Sequence, residues 1–305
     1  MRLIRRVILV SAVLLLVTVT AVSCYYSQQI EDGAFRVEES DVGRQVTIRD
    51  IQGDRVTLDA SEGDAWASGA VWGLRWEGGG YARVGAILSQ TDDSVTRTFT
   101  LVSGTLSAGD RVTFDPSAYP VDPRTGRGIP FDVVDVPGEA GPLPAWLVPG
   151  DPERWVIVIH GKGSEQTEAL RILPTLKDAG LTVLAVSYRN DRGVPGGSGR
   201  YGYGASEWPD IEAAARFAAE RGAKDITLYG FSMGAGIALA FLENGAHAGL
   251  VRAAVFDSPV LDFGAIIDYQ GERRSVPGPI IRLSKEMASL RFDIDWDRLD
   301  YLSRL

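Results

Sequence analysis

The chain has 305 residues, is 45% hydrophobic and carries a formal net charge of -9. That size and apolar content support a packed core and exclude a disordered chain, while the acidic balance argues against a nucleic-acid partner, which needs Lys and Arg to neutralise phosphate. A single cysteine, Cys24, excludes an intramolecular disulfide and any cysteine-cluster zinc site.

Arg2, Arg5 and Arg6 precede an apolar run from Val7 to about Tyr26. Roughly 20 apolar residues span a bilayer core, whereas the apolar region of a cleaved signal is usually roughly 7–15 residues. The length predicts an uncleaved transmembrane signal-anchor over residues 1–29. The arginines should stay cytoplasmic, which places everything after residue 30 outside. Thr20-Ala21-Val22-Ser23-Cys24 loosely resembles a bacterial lipobox, so a lipoprotein anchored at Cys24 is the runner-up, ahead of a cleaved signal. All three readings put the rest of the chain outside the cytoplasm.

Residues 30–130 read as a small β-rich domain. Gln45–Ile48, Arg55–Leu58, Arg97–Leu101 and Arg111–Phe114 alternate polar with apolar residues, and Gly53-Asp54 and Gly109-Asp110 supply turns. Trp66, Trp72 and Trp76 read as packing residues here, and no catalytic constellation is visible. Pro120–Pro130, rich in Pro and Gly, breaks the pattern and marks a boundary.

From residue 131 to 305 strands and helices alternate. Phe131–Val136 and Leu143–Leu147 read as a hairpin. Trp155–Ile159, Leu181–Val186, Ile226–Tyr229 and Val251–Phe256 read as buried strands. Glu165–Ala179, Glu207–Glu220 with Ser206 as its cap, and Met233–Leu242 read as helices. Strands apolar on both faces and spaced by helices predict an α/β, doubly wound, mostly parallel sheet.

Gly230-Phe231-Ser232-Met233-Gly234 is a G-x-S-x-G sequence between a strand and a helix. That context makes Ser232 a nucleophile candidate, lifted above the sheet edge on a sharp turn that needs glycine at Gly230 and Gly234. His160-Gly161-Lys162-Gly163 follows the first buried strand. The backbone N–H groups of Lys162 and Met233 are the candidate oxyanion donors. His160, at the strand end, reads as a structural hydrogen-bonding residue.

Together these segments, with Val186–Asp191, Tyr201–Phe217 and Val255–Val260, resemble the α/β-hydrolase superfamily in its serine-aminopeptidase-like and dienelactone-hydrolase-like branch. The resemblance covers about residues 131–305. It implies a serine hydrolase with Ser232 as nucleophile and the order Ser, Asp, His along the chain, without a metal or organic cofactor. A small-molecule ester or peptide would be the substrate.

The sequence departs from that pattern after Val251–Phe256. Asp257 and Asp262 could hold a carboxylate near the site, but no histidine follows His247. The leading explanation is a chain truncated at its carboxy terminus, with the acid and histidine beyond residue 305 and little activity on its own. Truncation would leave Val251–Phe256 as an apolar edge. The alternatives are a non-catalytic surface binding protein with this fold, and a base supplied by an unexpected group such as Lys162 or another subunit. Residues Ile280–Leu290 suit a lid or helix.

Overall fold

The computed structural model describes residues 2–37, 45–60, 70–115 and 118–305. Helix α1 (Arg2–Ile30) continues through a π-helical turn, Glu31–Phe35. It is long and apolar enough to cross a membrane or to serve as a signal sequence. Its first half is bare: Leu3 is 75% exposed and Leu16 66%. From Ser23 onward one face is buried, and Phe35 packs into the larger core of the molecule.

Six strands then close a barrel. They are β1 (Gln45–Gln52), β2 (Arg55–Asp59), β3 (Trp72–Trp76), β4 (Gly80–Gln90), β5 (Ser94–Ser103) and β6 (Arg111–Asp115), in spatial order β1-β2-β5-β4-β3-β6 with β6 returning to β1. All pairs are antiparallel, and the alternating apolar residues, among them Val46, Ile48, Val56, Leu58 and Val112, turn inward. Closure removes the open edges that such strands would expose. Trp72 and Trp76 pack against this core, as the sequence suggests, while Trp66 lies outside the described residues. Strands β3 and β4 were not legible from periodicity; Gly78 and Gly79, both at positive φ (86° and 78°), form the tight turn that joins them.

After the short helix α2 (Pro123–Arg127) comes a six-stranded mixed sheet. Its strands are β7 (Asp132–Pro137), β8 (Pro142–Val148), β9 (Asp151–Ile159), β10 (Leu181–Val186), β11 (Asp225–Phe231) and β12 (Val251–Asp257), in order β12-β11-β9-β10-β8-β7. Strands β9 to β12 run parallel, and the β7–β8 hairpin joins antiparallel. Residues of β9 divide between the faces. Trp155, Ile157 and Ile159 join one core with helices α4 (Trp208–Glu220) and α5 (Met233–Asn244). Val156 and Val158 join the other, with Leu170 and with Leu173 of α3 (Leu173–Asp178). Strand β12 is outermost, with Ala253, Ala254 and Val255 exposed.

Two local readings are corrected. Glu165–Ala179 is not one helix: a 3-10 segment, Gln166–Arg171, ends before α3, because Pro174 lacks an N–H and starts a new helix at its first turn. Nor does Ser206 cap α4. The cap position is Glu207, whose carboxylate reaches back to the N–H groups of Gly202 (2.6 Å) and Gly204 (3.0 Å). Beyond β12, helices α6 (Phe263–Arg273) and α7 (Gly278–Phe292) pack on each other and α7 packs along α1; α7 spans the region expected to be a lid or helix.

Candidate active site

Strand β11 ends at Phe231 and α5 begins at Met233, so the whole reversal falls on Ser232. Its backbone has φ 46° and ψ -111°, a region that non-glycine residues rarely enter. The surroundings hold it there. Ser232 N–H donates to the Asp257 carbonyl at 2.9 Å, and Val260 N–H donates to the Ser232 carbonyl at 3.2 Å. The glycines on either side are required by contact. A Cβ on Gly230 would lie 2.7 Å from Ala235 N, and one on Gly234 would lie 2.2 Å from the Ile159 carbonyl oxygen. Met233 opens α5, so its N–H has no intrahelical partner and points where the helix dipole favours negative charge.

The loop after β9 comes close to this turn. A Cβ on Gly161 would lie 3.2 Å from Ser232 Cβ, tighter than an ordinary contact, so glycine suits the close approach of this loop. Lys162, the next residue, thus stands beside Ser232 in the chain segment expected to donate to an oxyanion. Its side chain turns away: Nζ donates to the Gly33 carbonyl at 2.7 Å, at the end of the amino-terminal helix. Lys162 is therefore not aimed at Ser232 as a base.

His160 anchors the loop. Its Nε2 meets Asp191 Oδ2 at 2.8 Å and its Nδ1 meets the Gly161 carbonyl at 3.0 Å, while Tyr188 stacks on the ring. Burial works against a charged ring, but the Asp191 carboxylate, with the Gly161 carbonyl, outweighs it and raises the proton affinity above the ordinary histidine value. With both nitrogens facing acceptors, this ring suits two donated hydrogen bonds and is a poor proton acceptor. His247 pairs with Glu212 through Nδ1 at 2.5 Å, on helix α4 and away from the turn. Asp262 caps α6 by accepting from Ala265 N–H at 2.8 Å, whereas Asp257 adjoins Ser232 through its carbonyl.

One residue had no signal in the sequence. Glu168 Oε2 accepts from Gly161 N–H at 2.8 Å, which places a carboxylate against the loop that approaches Ser232. It lies in the 3-10 segment that periodicity reads as an ordinary helix, where a glutamate suggests only a solvated face. Among the described residues no group of His, Cys, Asp and Glu is arranged to hold a metal ion.

A family model described as "Alpha/beta hydrolase family" matches residues 147–304, and one described as "Domain of unknown function (DUF8805)" matches residues 47–115, the barrel. No curated protein matches the chain. Among solved structures, an esterase from Pyrococcus furiosus is 22% identical with a TM-score of 0.43, over 55% of this chain and 65% of that one. An alpha-beta hydrolase from Vibrio vulnificus is 25% identical with a TM-score of 0.43, over 52% and 55%. A serine hydrolase described as lacking a lid, from Xanthomonas campestris, is 23% identical with a TM-score of 0.36, over 43% and 62%. The chain thus spans less than two thirds of the length of each of these structures.

Proposed function

The chain belongs to the alpha/beta hydrolase family, and from that premise we propose that it is a membrane-anchored serine hydrolase that cleaves carboxylic esters through an acyl-Ser232 intermediate. The observation that carries this reading is the strained backbone of Ser232, held between a strand and a helix with glycine on both sides. Strain of that kind has no packing benefit; it presents a hydroxyl above the sheet. The Met233 and Lys162 N–H groups would receive the charge that develops on the substrate oxygen, a contribution of about 10²–10³ in rate for each such donor in known cases.

A serine hydroxyl attacks well only when a base accepts its proton. His160 is held by Asp191 and His247 by Glu212. Held in these pairs, neither imidazole is placed to take the Ser232 proton. The same occupied histidines favour the second reading, a hydrolase-like binding protein that performs no catalysis. For location, Arg2, Arg5 and Arg6 before an exposed apolar helix support a signal-anchor with residues after 30 outside the cytoplasm; anchoring as a lipoprotein at Cys24 is the other form. We divide the chain into that anchor, the barrel region up to about residue 130 and the hydrolase region.

The experiment is labelling of the full-length protein with a fluorophosphonate probe, followed by peptide mapping. The expected result is a single modification on Ser232, abolished in Ser232→Ala together with hydrolysis of p-nitrophenyl esters. A full-length protein that folds but leaves Ser232 unlabelled would overturn the enzyme reading in favour of the binding protein.

A further inference from the structure

Between the end of α1, the Lys162 loop and helices α6 and α7 lies a cavity of about 310 Å³. Its walls are mostly apolar: Ile30 and Ala34 on the amino-terminal side face Phe263, Ile266, Ile267 and Ile281. We propose that this cavity is the acyl pocket of the Ser232 site and that the substrate class is a long-chain acyl ester drawn from the lipid bilayer. The inference rests on the hydrolase reading above and names its substrate.

Three observations converge. The first is the wall itself, which is the same helix that carries the exposed apolar span. Residues Leu3–Val22 are largely bare, and at about 1.5 Å per residue they extend about 30 Å, the thickness of a bilayer's hydrocarbon core. Tyr26, which lines the cavity, is one turn further, about 6 Å beyond the end of that span. A chain leaving the bilayer along α1 therefore meets the cavity at once.

The second is rigidity. Arg291 of α7 donates to the Cys24 carbonyl (2.8 Å), to Ser27 Oγ (2.6 Å) and to Gln28 Oε1 (2.8 Å). Tyr203 donates to the Ala34 carbonyl at 2.9 Å, and Lys162 to the Gly33 carbonyl. The end of α1 is thus part of the folded catalytic region and holds a fixed wall. A helix that only tethered the protein would need none of these bonds.

The third is reach. Ser232 is not in the lining, but Lys162 is, and at the adjacent Gly161 an added Cβ would lie 3.2 Å from Ser232 Cβ. A mostly apolar pocket at the small end of the usual ligand range of about 300–1,000 Å³ suits an acyl chain, and Gln29, Gln270 and Arg274 also stand on its lining. With the chain seated there, the ester carbonyl falls at the loop. Ser232 Oγ bonds to the acyl carbon, the ester C–O bond breaks and the alcohol leaves with the serine proton. Water then cleaves acyl-Ser232 to release the fatty acid and restore the hydroxyl.

The test places the full-length protein in phosphatidylcholine vesicles that contain a trace of phosphatidylcholine bearing a diazirine near the end of one acyl chain. After irradiation, crosslinks are expected on Ile266 and Ile281 besides those on Leu3–Val17. Ala34→Trp and Ile266→Trp fill the cavity from opposite walls, and each should lower the Ile281 crosslink at least tenfold. Tyr269→Ala, on the exposed outer side of α6, should not. Thermal unfolding identifies which of the two tryptophan variants is folded and read. Crosslinks confined to residues 3–22, or indifference to a folded tryptophan variant, would overturn the pocket. Fluorophosphonate labelling of the same samples separates the two claims: a reactive Ser232 with an empty cavity sinks the lipid pocket alone, and a labelled cavity beside an inert Ser232 sinks the hydrolase reading while the lipid site stands.

Discussion

Gly234 leaves the least room of any residue at the turn. The nearest atom to an added methyl is a backbone oxygen, Ile159 O at 2.2 Å, which cannot swing aside as a flexible side chain would. Gly234→Ala should therefore destabilise the protein by about 1–3 kcal/mol, the usual range for overpacking, and lower fluorophosphonate labelling with it. A denaturant midpoint equal to that of the unaltered protein would refute the steric account. This requirement was legible in the sequence because it is written as the absence of side chains around Ser232. The role of Asp191 was not, since thirty-one positions separate it from His160 and only the fold joins them. It makes a pH-dependent prediction. The histidine's proton affinity is raised in the folded state, so the pair contributes stability that is fully present below the unfolded value of about 6.5 and is lost as pH rises through the folded one. Asp191→Asn should show its largest loss of melting temperature at about pH 5.5 and a smaller one at about pH 9. A loss that grew with pH would mean that the ring is neutral in the native state.

Elements were read best where period alone decides. The four parallel strands were legible because each is apolar on both faces, and the barrel strands β1, β2, β5 and β6 because they alternate. The reading failed where a tertiary partner overrides local preference. Ser206 before a helical pattern is a good cap by composition, yet the carboxylate of Glu207, itself fully buried, takes the two glycine N–H groups instead. Glu207→Ala should accordingly cost about 2–4 kcal/mol, because it removes two charge-assisted hydrogen bonds and leaves two donors buried. Ser206→Ala should cost at most about 1 kcal/mol. Urea unfolding of both variants checks the order; a larger loss for Ser206→Ala would restore the sequence-based cap. Helix α3 gives the same lesson in reverse, since Pro174 was visible in the sequence but its effect was outweighed there by the surrounding helical composition.

At the scale of the whole molecule, the first half of α1 and strand β12 both expose runs of apolar residues, and the two exposures have different causes. The first half of α1 is bare on all sides, as a segment in lipid would be. Strand β12 is bare on a sheet edge, where unpaired N–H and C=O groups add to the exposure of Ala253, Ala254 and Val255. Both were expected from the sequence, but the fold shows which should govern association. Detergent covers a helix side by burying side chains, and it offers no backbone partner to a strand. Self-association that persists in detergent should therefore arise at β12. Ala253→Lys and Val255→Lys place charge on an exposed strand whose neighbours on that side are solvent, so folding should be unaffected while edge-to-edge pairing is opposed. In detergent, at equal concentration, the double variant should stay monodisperse by light scattering where the unaltered chain aggregates. If the variant aggregates equally, the contact lies elsewhere, and because micelles already cover α1 the barrel exterior becomes the surface to test.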